Sequence, residues 1–429
     1  MWPALEWLMG DGIESLRCRG MRDLLPEETA LYRRAEEAFA RVCAAWGYSE
    51  IRTPTIEFLH LFTSAGTLSP QMLSRVYSFL DWDGWSGERV VLRPDVTIPT
   101  VRLYVENAGG GRPERYFYLQ NVFRFSAGDE SREDWQCGVE LIGNPHPAGD
   151  VELVLLGGAV LESLGLSHIE VGLSHAGLVR AVLAQTGLEP EEQAARYDRL
   201  LDGDLTVIEE IEARLPDLRA PLHLLFEAEG GASEYLAGLR SAFATAVPGI
   251  AGALDELATV SDTLDRLDCP HDIQTTLVRN FEYYTGTVFE FRAAGCRMGS
   301  GGRYDGLIAL VGGESVPASG FALSLAEIVS HLETAPEVAT TPPQWLVEAR
   351  SDDVATLAEA FSAAARLRAQ GKRVAIALPG MRAAPDNRLL TVERQGGAFA
   401  YRLRRVACEE PRDFRSLDEL LRIAEADAP

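Results

Sequence analysis

RYFYLQNVFRF at residues 115–125 and WQCGVELIG at 135–143, with SAGDESRED at 126–134 between them, set the architecture. The first segment is dense in aromatic and β-branched residues, which suits a strand. Side chains alternate across a strand, so Tyr118, Gln120, Val122 and Arg124 share one face. In the second strand Gln136, Gly138, Glu140 and Ile142 share a face, and Cys137, Val139 and Leu141 take the other. The polar stretch between them predicts a hairpin loop.

On the N-terminal side, residues 24–47 predict a helix. Pro26 suits the first turn, and Glu27 and Glu28 suit the positive end of the helix dipole. Leu31, Ala35, Phe39, Val42, Cys43 and Trp46 recur at helical spacing. GYSEIRTPTIEF then predicts an extended segment around Pro54. On the C-terminal side the pattern is helical from about 176 to 262, and strand character returns in TTLVRNFEYYTGTVFEFRA at 275–293. Glycines cluster at 299–313. Gly299, Gly301 and Gly302 fit a tight turn as well as a phosphate cradle. GFALSLAEIVSHL reads as a strand running into a helix.

ETAPEVATTPPQ at 333–344 is a linker by composition. Beyond it WLVEA predicts a strand, DDVATLAEAFSAAARLRAQ a helix and RVAIALPG a strand. Ser416 and Glu419 stand in capping-box spacing at the start of a last helix. The organisation is therefore an N-terminal extension at 1–18, a core at 19–332 with its helical insertion, the linker, and a C-terminal α/β domain at 345–429.

Composition excludes several functions. The 429 residues are 46% hydrophobic and 24% charged, ordinary for a globular protein and unlike disordered, collagen-like or coiled-coil chains. No apolar run is long enough to span a membrane, and residues 1–20 lack the pattern of a secretory signal. The 64 acidic residues outnumber the 40 basic ones, giving a net charge of −24, which opposes loose binding to a nucleic-acid backbone. Lys372 is the only lysine, so a P-loop is absent and Schiff-base chemistry has one poor candidate. The six cysteines never fall in CxxC spacing and the histidines form no HExxH. No metal site follows from them, and scattered cysteines without a signal suit a cytoplasmic location.

VLRPDVT at 91–97, RPERYFYLQNVFRF at 112–125, QCGVELIG at 136–143, LVRNFEYYTGTVFE at 277–290, and GSGGRYDGLIALVGG with GFALSL at 299–325 occur in one order. Together they resemble the core of the histidyl-tRNA synthetase family. The resemblance implies a class II aminoacyl-tRNA synthetase-like fold of the α/β (α+β) kind: an antiparallel sheet flanked by helices, with the helical insertion and the small C-terminal domain appended. Two kinds of protein share that core. One is the synthetase, which activates histidine with ATP and loads tRNA. The other is the regulatory subunit of ATP phosphoribosyltransferase, which works with a short-form catalytic subunit in histidine biosynthesis.

The resemblance further implies a histidine pocket of Asp95, Thr97, Arg124, Gln136, Glu140, Arg279, Tyr283 and Tyr284. Asp95 and Thr97 would take the ligand's α-amino group, Arg124 its carboxylate, and Glu140, as an anion, an imidazole N–H. Gln136 and Glu140 lie about 13 Å apart along one strand face and would meet the ligand from its two ends. Asn280 and Phe281 depart from the family's Gly-Leu. The family's nucleotide grip is missing. Ser126 stands where a glutamate follows the motif-2 arginine, and Glu327 closes GFALSLAE where an arginine would meet phosphate. That pattern implies a histidine sensor with no catalytic residue, metal or cofactor of its own. Its partners would be the catalytic subunit and L-histidine, in a homodimer within a hetero-oligomer. The class II resemblance would make the segment around Pro54 a turn at the dimer interface. From residue 344 onward 14 basic residues face 13 acidic ones, alternating without a stripe. This reads as a degenerate anticodon-binding-like domain, with tRNA not expected as a partner. The alternative reading is an atypical histidine–tRNA ligase.

Overall fold

A computed structural model describes residues 16–64, 75–82, 87–107, 113–126, 131–201, 203–227, 232–243, 245–275, 284–332, 345–378, 387–406 and 411–426. The chain divides into two compact units, Met1–Glu333 and Thr334–Pro429. The stretch read as a linker lies outside the described residues.

The first unit is built on an eight-stranded sheet. Its strands are β1 (Ser49–Glu50), β5 (Glu114–Phe123), β6 (Glu133–Ile142), β7 (Ile169–His175), β8 (His271–Ile273), β9 (Thr287–Ala293), β10 (Cys296–Arg303) and β11 (Ala318–Ser324). Their spatial order is β1-β5-β6-β11-β10-β9-β7-β8. The six inner strands are antiparallel, and β1 and β8 add in parallel at the edges. A smaller sheet joins β2 (Ile56–Phe58), β4 (Gly87–Leu92) and β3 (Ser78–Trp82).

Alternation divides the large sheet into two unlike faces. Phe117, Val139, Leu141, Phe289, Phe291, Phe321 and Leu323 point to one side. There they pack on helices Pro26–Ala45, Pro147–Ser163 and Ile250–Arg266. The first of these begins with Pro26, Glu27 and Glu28 in its opening turn, as its sequence predicts. Short helices at Ala176–Ala184, Pro190–Leu201, Thr206–Arg214, Arg219–Glu227 and Ala232–Phe243 form the helical insertion. Across the other face runs the row Tyr118–Gly138–Ala322–Ser300–Glu290–Gly172. The next row is Tyr116–Glu140–Gly320–Gly302–Val288–Ser174. Their middle positions are small and form a floor, while Ile142 and Val288 on the same face pack with Ile98, Val101, Tyr104, Tyr304 and Ile308 in a second core.

Three readings of the sequence need correction. Glu133 and Asp134 belong to β6, opposite Phe123 and Val122, and not to the hairpin loop. The strand expected over 275–293 begins at Thr287, with residues 276–283 outside the described set. Gly299, Gly301 and Gly302 form neither a turn nor a phosphate cradle. They lie within β10, where a Cβ on Gly299 or Gly301 would run into the carbonyl of Ala322 or Gly320 on β11. A Cβ on Gly302 would lie 2.9 Å from the Tyr284 ring. These glycines let strands and an aromatic ring approach closely.

The second unit has a five-stranded sheet in the order β13-β12-β14-β15-β16. Its strands are β12 (Trp345–Ala349), β13 (Val374–Ile376), β14 (Arg388–Gln395), β15 (Ala398–Arg405) and β16 (Arg412–Phe414). Helices Val354–Ala369 and Leu417–Ala426 supply Ala360, Ala363, Leu367 and Leu420 to a core with Trp345, Val347, Leu390, Val392 and Phe414. Ser416 Oγ accepts from Glu419 N–H at 3.2 Å, and the Glu419 carboxylate reaches back to Arg415 N–H. The capping box thus forms one residue wider than its usual pattern.

Gly301→Ala is expected to lower the unfolding free energy by about 1–3 kcal/mol in urea denaturation, the range for overpacking a filled site.

Candidate functional site

The segment leading into helix Thr97–Asn107 crosses the sheet's open face and is fixed there by Arg93. This guanidinium is 2% exposed. It donates to the carbonyls of Thr53, Pro54 and Asn121 and to Asn121 Oδ1, all at 2.8–3.0 Å. Asp95 follows and accepts from Ile98 N–H at 3.3 Å, at the start of the helix. Asp95 and Thr97 are thereby held over β6 and β11.

A small cavity forms at this point, lined by Asp95, Thr97, Gln136, Tyr284, Ser300, Tyr304, Gly320, Phe321 and Ala322. Its volume is about 20 Å³, room for little more than a water molecule. Glu140 lies beside it, 1% exposed. Tyr304 Oη donates to Glu140 Oε2, Tyr118 Oη lies 3.4 Å from Oε1, and the Thr97 hydroxyl also bonds the carboxyl. The carboxyl rests on Gly320, where any Cβ would collide with it, and the Tyr118 hydroxyl rests likewise on Gly138.

Burial disfavours the charged form of an acid. It pushes Glu140 up to about 8, with the Tyr304, Thr97 and Tyr118 hydroxyls opposing and Asp95 adding to the rise. Burial thus works against the anion expected from the sequence. Burial also pushes Asp95 up to about 6, against the Ile98 N–H and Arg124.

Five of the eight expected residues, Asp95, Thr97, Gln136, Glu140 and Tyr284, are brought together. Arg279 and Tyr283 lie outside the described residues. Arg124 lines a neighbouring cavity, its Nε donating to Pro94 O at 2.9 Å while its charge still acts on Asp95. Sequence reasoning passed over Tyr118 and Tyr304, although Tyr304 sits inside the quoted GSGGRYDGL run.

The neighbouring cavity is about 370 Å³. Arg22, Arg124 and Arg132 share its lining with Glu133, Asp134 and Glu327. Ser324 caps helix Leu325–Ser330 by accepting from Glu327 N–H, and its hydroxyl also donates to Asp134 at 3.2 Å. Burial raises the Asp134 pKa, countered by Ser324, Arg124 and the Trp135 N–H, and Glu327 adds to the rise. Among the described residues no three His, Cys, Asp or Glu side chains converge as a metal site would require.

The histidyl-tRNA synthetase family model matches residues 20–328. An ATP phosphoribosyltransferase regulatory subunit from Dehalococcoides mccartyi is 41% identical over 380 residues, 88% of this chain and 92% of that protein. A histidine–tRNA ligase from Methanosarcina acetivorans is 35% identical over 328 residues, 73% of this chain and 74% of that protein. A crystal structure of an ATP phosphoribosyltransferase regulatory subunit/histidyl-tRNA synthetase from Bacillus halodurans superposes with a TM-score of 0.70 at 26% identity. It covers 86% of this chain and 94% of that one.

A group whose folded pKa lies above its unfolded value binds protons on folding, so stability falls as pH rises between the two. For Glu140 that window runs from 4.5 to about 8. Glu140→Gln removes the titration. Its melting temperature relative to wild type should therefore climb from about pH 5 to about pH 8.5 in differential scanning calorimetry.

Proposed function

The chain belongs to the histidyl-tRNA synthetase family and, within it, to the ATP phosphoribosyltransferase regulatory subunits; from that premise we propose that it is a non-catalytic histidine sensor. It binds L-histidine in the pocket between Asp95 and Glu140 and controls a separate short-form catalytic subunit in the first step of histidine biosynthesis. Asp95 holds the ligand's ammonium, and Arg124, from the adjoining cavity, its carboxylate. Gln136 and Glu140 fix the two ends of the ligand. Arg279 and Tyr283 complete the set by family resemblance.

One observation carries this reading. The amino-acid pocket keeps its polar residues, while in the adjoining cavity Glu133, Asp134 and Glu327 offset Arg22, Arg124 and Arg132, and Glu327 stands where the family's arginine would meet phosphate. At an effective dielectric near 20, one unit-charge contact at about 4 Å amounts to ~4 kcal/mol before screening. Exchanging attraction for repulsion there opposes ATP binding. The ion pairs of the C-terminal unit fit the same reading. Arg366 pairs with Asp418 and Arg402 with Asp413, and Arg388 stacks on Trp345. Such pairing consumes charge that an RNA backbone would need.

Feedback requires that histidine prefer one state of the assembly, so on this reading the pocket differs in shape between the active and inactive assemblies. A ligand that prefers one of two states shifts the balance between them, which is the physical basis for feedback. The assembly proposed is a homodimer docked on catalytic subunits in the cytoplasm.

The purified chain should bind free histidine, seen as a rise in melting temperature, and show no histidine-dependent pyrophosphate–ATP exchange. Robust exchange would favour a histidine–tRNA ligase instead. In the complex with the catalytic subunit, Asp95→Asn should raise the histidine concentration for half-inhibition by roughly 5–150-fold, the span of ordinary coupling energies. Unchanged sensitivity, with assembly verified by size-exclusion chromatography, would place the regulatory ligand elsewhere.

A further inference from the structure

Tyr304 lines the small cavity and holds the Glu140 carboxyl. Its buried ring packs with Ile142, Val288, Leu307 and Ile308. Its backbone is clamped as well. Tyr304 N–H donates to Ala318 O at 2.7 Å, and Thr285 N–H donates to Arg303 O at 2.8 Å. The buried Arg303 guanidinium donates to both carboxylate oxygens of Asp150 at 2.8 and 3.2 Å, and to the carbonyls of Asn144 and His146. The ring is therefore a fixed post, and its hydroxyl donates to Glu140 Oε2. Tyr118, opposite Gly138 on β6, brings a second hydroxyl to 3.4 Å from Oε1. The carboxyl lies on Gly320, where any Cβ would collide with it.

We propose that Tyr304 is a positioning residue for histidine selectivity: it holds the Glu140 carboxyl at one place and angle, so that the pocket reads a ring nitrogen of the ligand there and rejects a ring of similar size that has none. The inference rests on the histidine-binding reading above and adds what makes that pocket selective. It holds for either protonation state of Glu140, because a hydroxyl both donates and accepts.

Two physical effects support it. A hydrogen bond weakens steeply as its angle departs from the preferred one, and a glutamate side chain free to rotate must be ordered when the ligand arrives. A post that has already ordered the carboxyl removes both losses. A site built around a hydrogen bond also rejects an analogue that lacks the matching group far better than an apolar pocket rejects a small change of shape. Tyr118, at a longer distance, contributes less to the same end.

The test is isothermal titration calorimetry on the full chain with two ligands, L-histidine and β-(2-thienyl)-L-alanine, whose aromatic ring is of similar size but carries no nitrogen. The weaker ligand is read by displacement. Tyr304→Phe keeps the ring in its core and removes only the hydroxyl. Its dissociation constant for histidine should rise roughly 10–100-fold while that for thienylalanine changes less than about threefold, so that selectivity falls. Tyr118→Phe should show the same pattern at smaller size, and it carries the test if Tyr304→Phe does not fold. Tyr104→Phe is the control. It removes a buried hydroxyl in the same core that has no hydrogen-bond partner among the described residues, and both constants should stay at their wild-type values. Wild-type histidine affinity in Tyr304→Phe would overturn the proposal. Equal weakening of both ligands would overturn it too, by making the hydroxyl a support of the fold and not of selectivity. If thienylalanine fails to displace histidine even from the wild type, Tyr304→Phe and Tyr104→Phe decide between them, and a parallel loss of histidine affinity counts against the proposal. Absence of histidine binding by the wild type would instead sink the sensor reading, and this inference with it.

Discussion

Glu140 is supported by hydroxyls from three separate segments, Tyr118 on β5, Thr97 at the mouth of a helix and Tyr304 beyond β10. A carboxyl group removed from water must be neutralised or fully hydrogen-bonded. That requirement pins a strand, a helix start and a connection to one another. It also accounts for Gly320 and Gly138 beneath the carboxyl and the Tyr118 hydroxyl, where a methyl group would collide. Arg93 performs the matching task outside the sheet, holding the segment before Asp95 through backbone carbonyls. The pocket is thus a consequence of how buried polar groups are satisfied.

The sheet divides its work between its faces. On the helix side, phenylalanines of β9 and β11 meet edge to face, with ring centroids of Phe289, Phe291 and Phe321 5.5–6.5 Å apart. On the other side Gly138, Ala322 and Ser300 leave space. Stability comes from the helix-side core and from a smaller core around Ile98, Ile142 and Val288, and these allow the site to bury an acid whose ionisation works against folding. A site made from small residues over a rigid sheet can hold its polar groups in place without filling its own volume.

Much of this was legible in the sequence. The alternation in 115–125 and 135–143 placed Gln136, Gly138 and Glu140 on one face, and register with β11 confirms the placement. What escaped was information that does not lie along one strand. Glycines in β10 look like a turn until the approach of β11 is known. The upward pressure on the Glu140 pKa appears only once the depth of its burial is known, since desolvation depends on distant segments. Tyr304 reads as part of a glycine-rich run, and only strand pairing brings its hydroxyl to β6. One miss was local. Gly396 and Gly397, with φ of 57° and 91°, join β14 to β15 as a two-residue hairpin loop, a signal that the flanking RLLTVERQ and AFAYRLRR made available.

The cap formed by Ser324 has a consequence for physiology. Its hydroxyl occupies the helix start at Leu325 and also engages Asp134, so the positive end of that helix is met from within by the chain's own acids. On the proposed reading, Glu327 and Asp134 oppose a polyphosphate at that position. Binding sites that lack affinity for a metabolite transmit nothing about its abundance. On the proposed reading, occupancy of the neighbouring pocket follows the amino-acid pool alone. The signal passed to the biosynthetic enzyme is then indifferent to the cell's energy charge, leaving any response to adenylates to the subunit that consumes ATP.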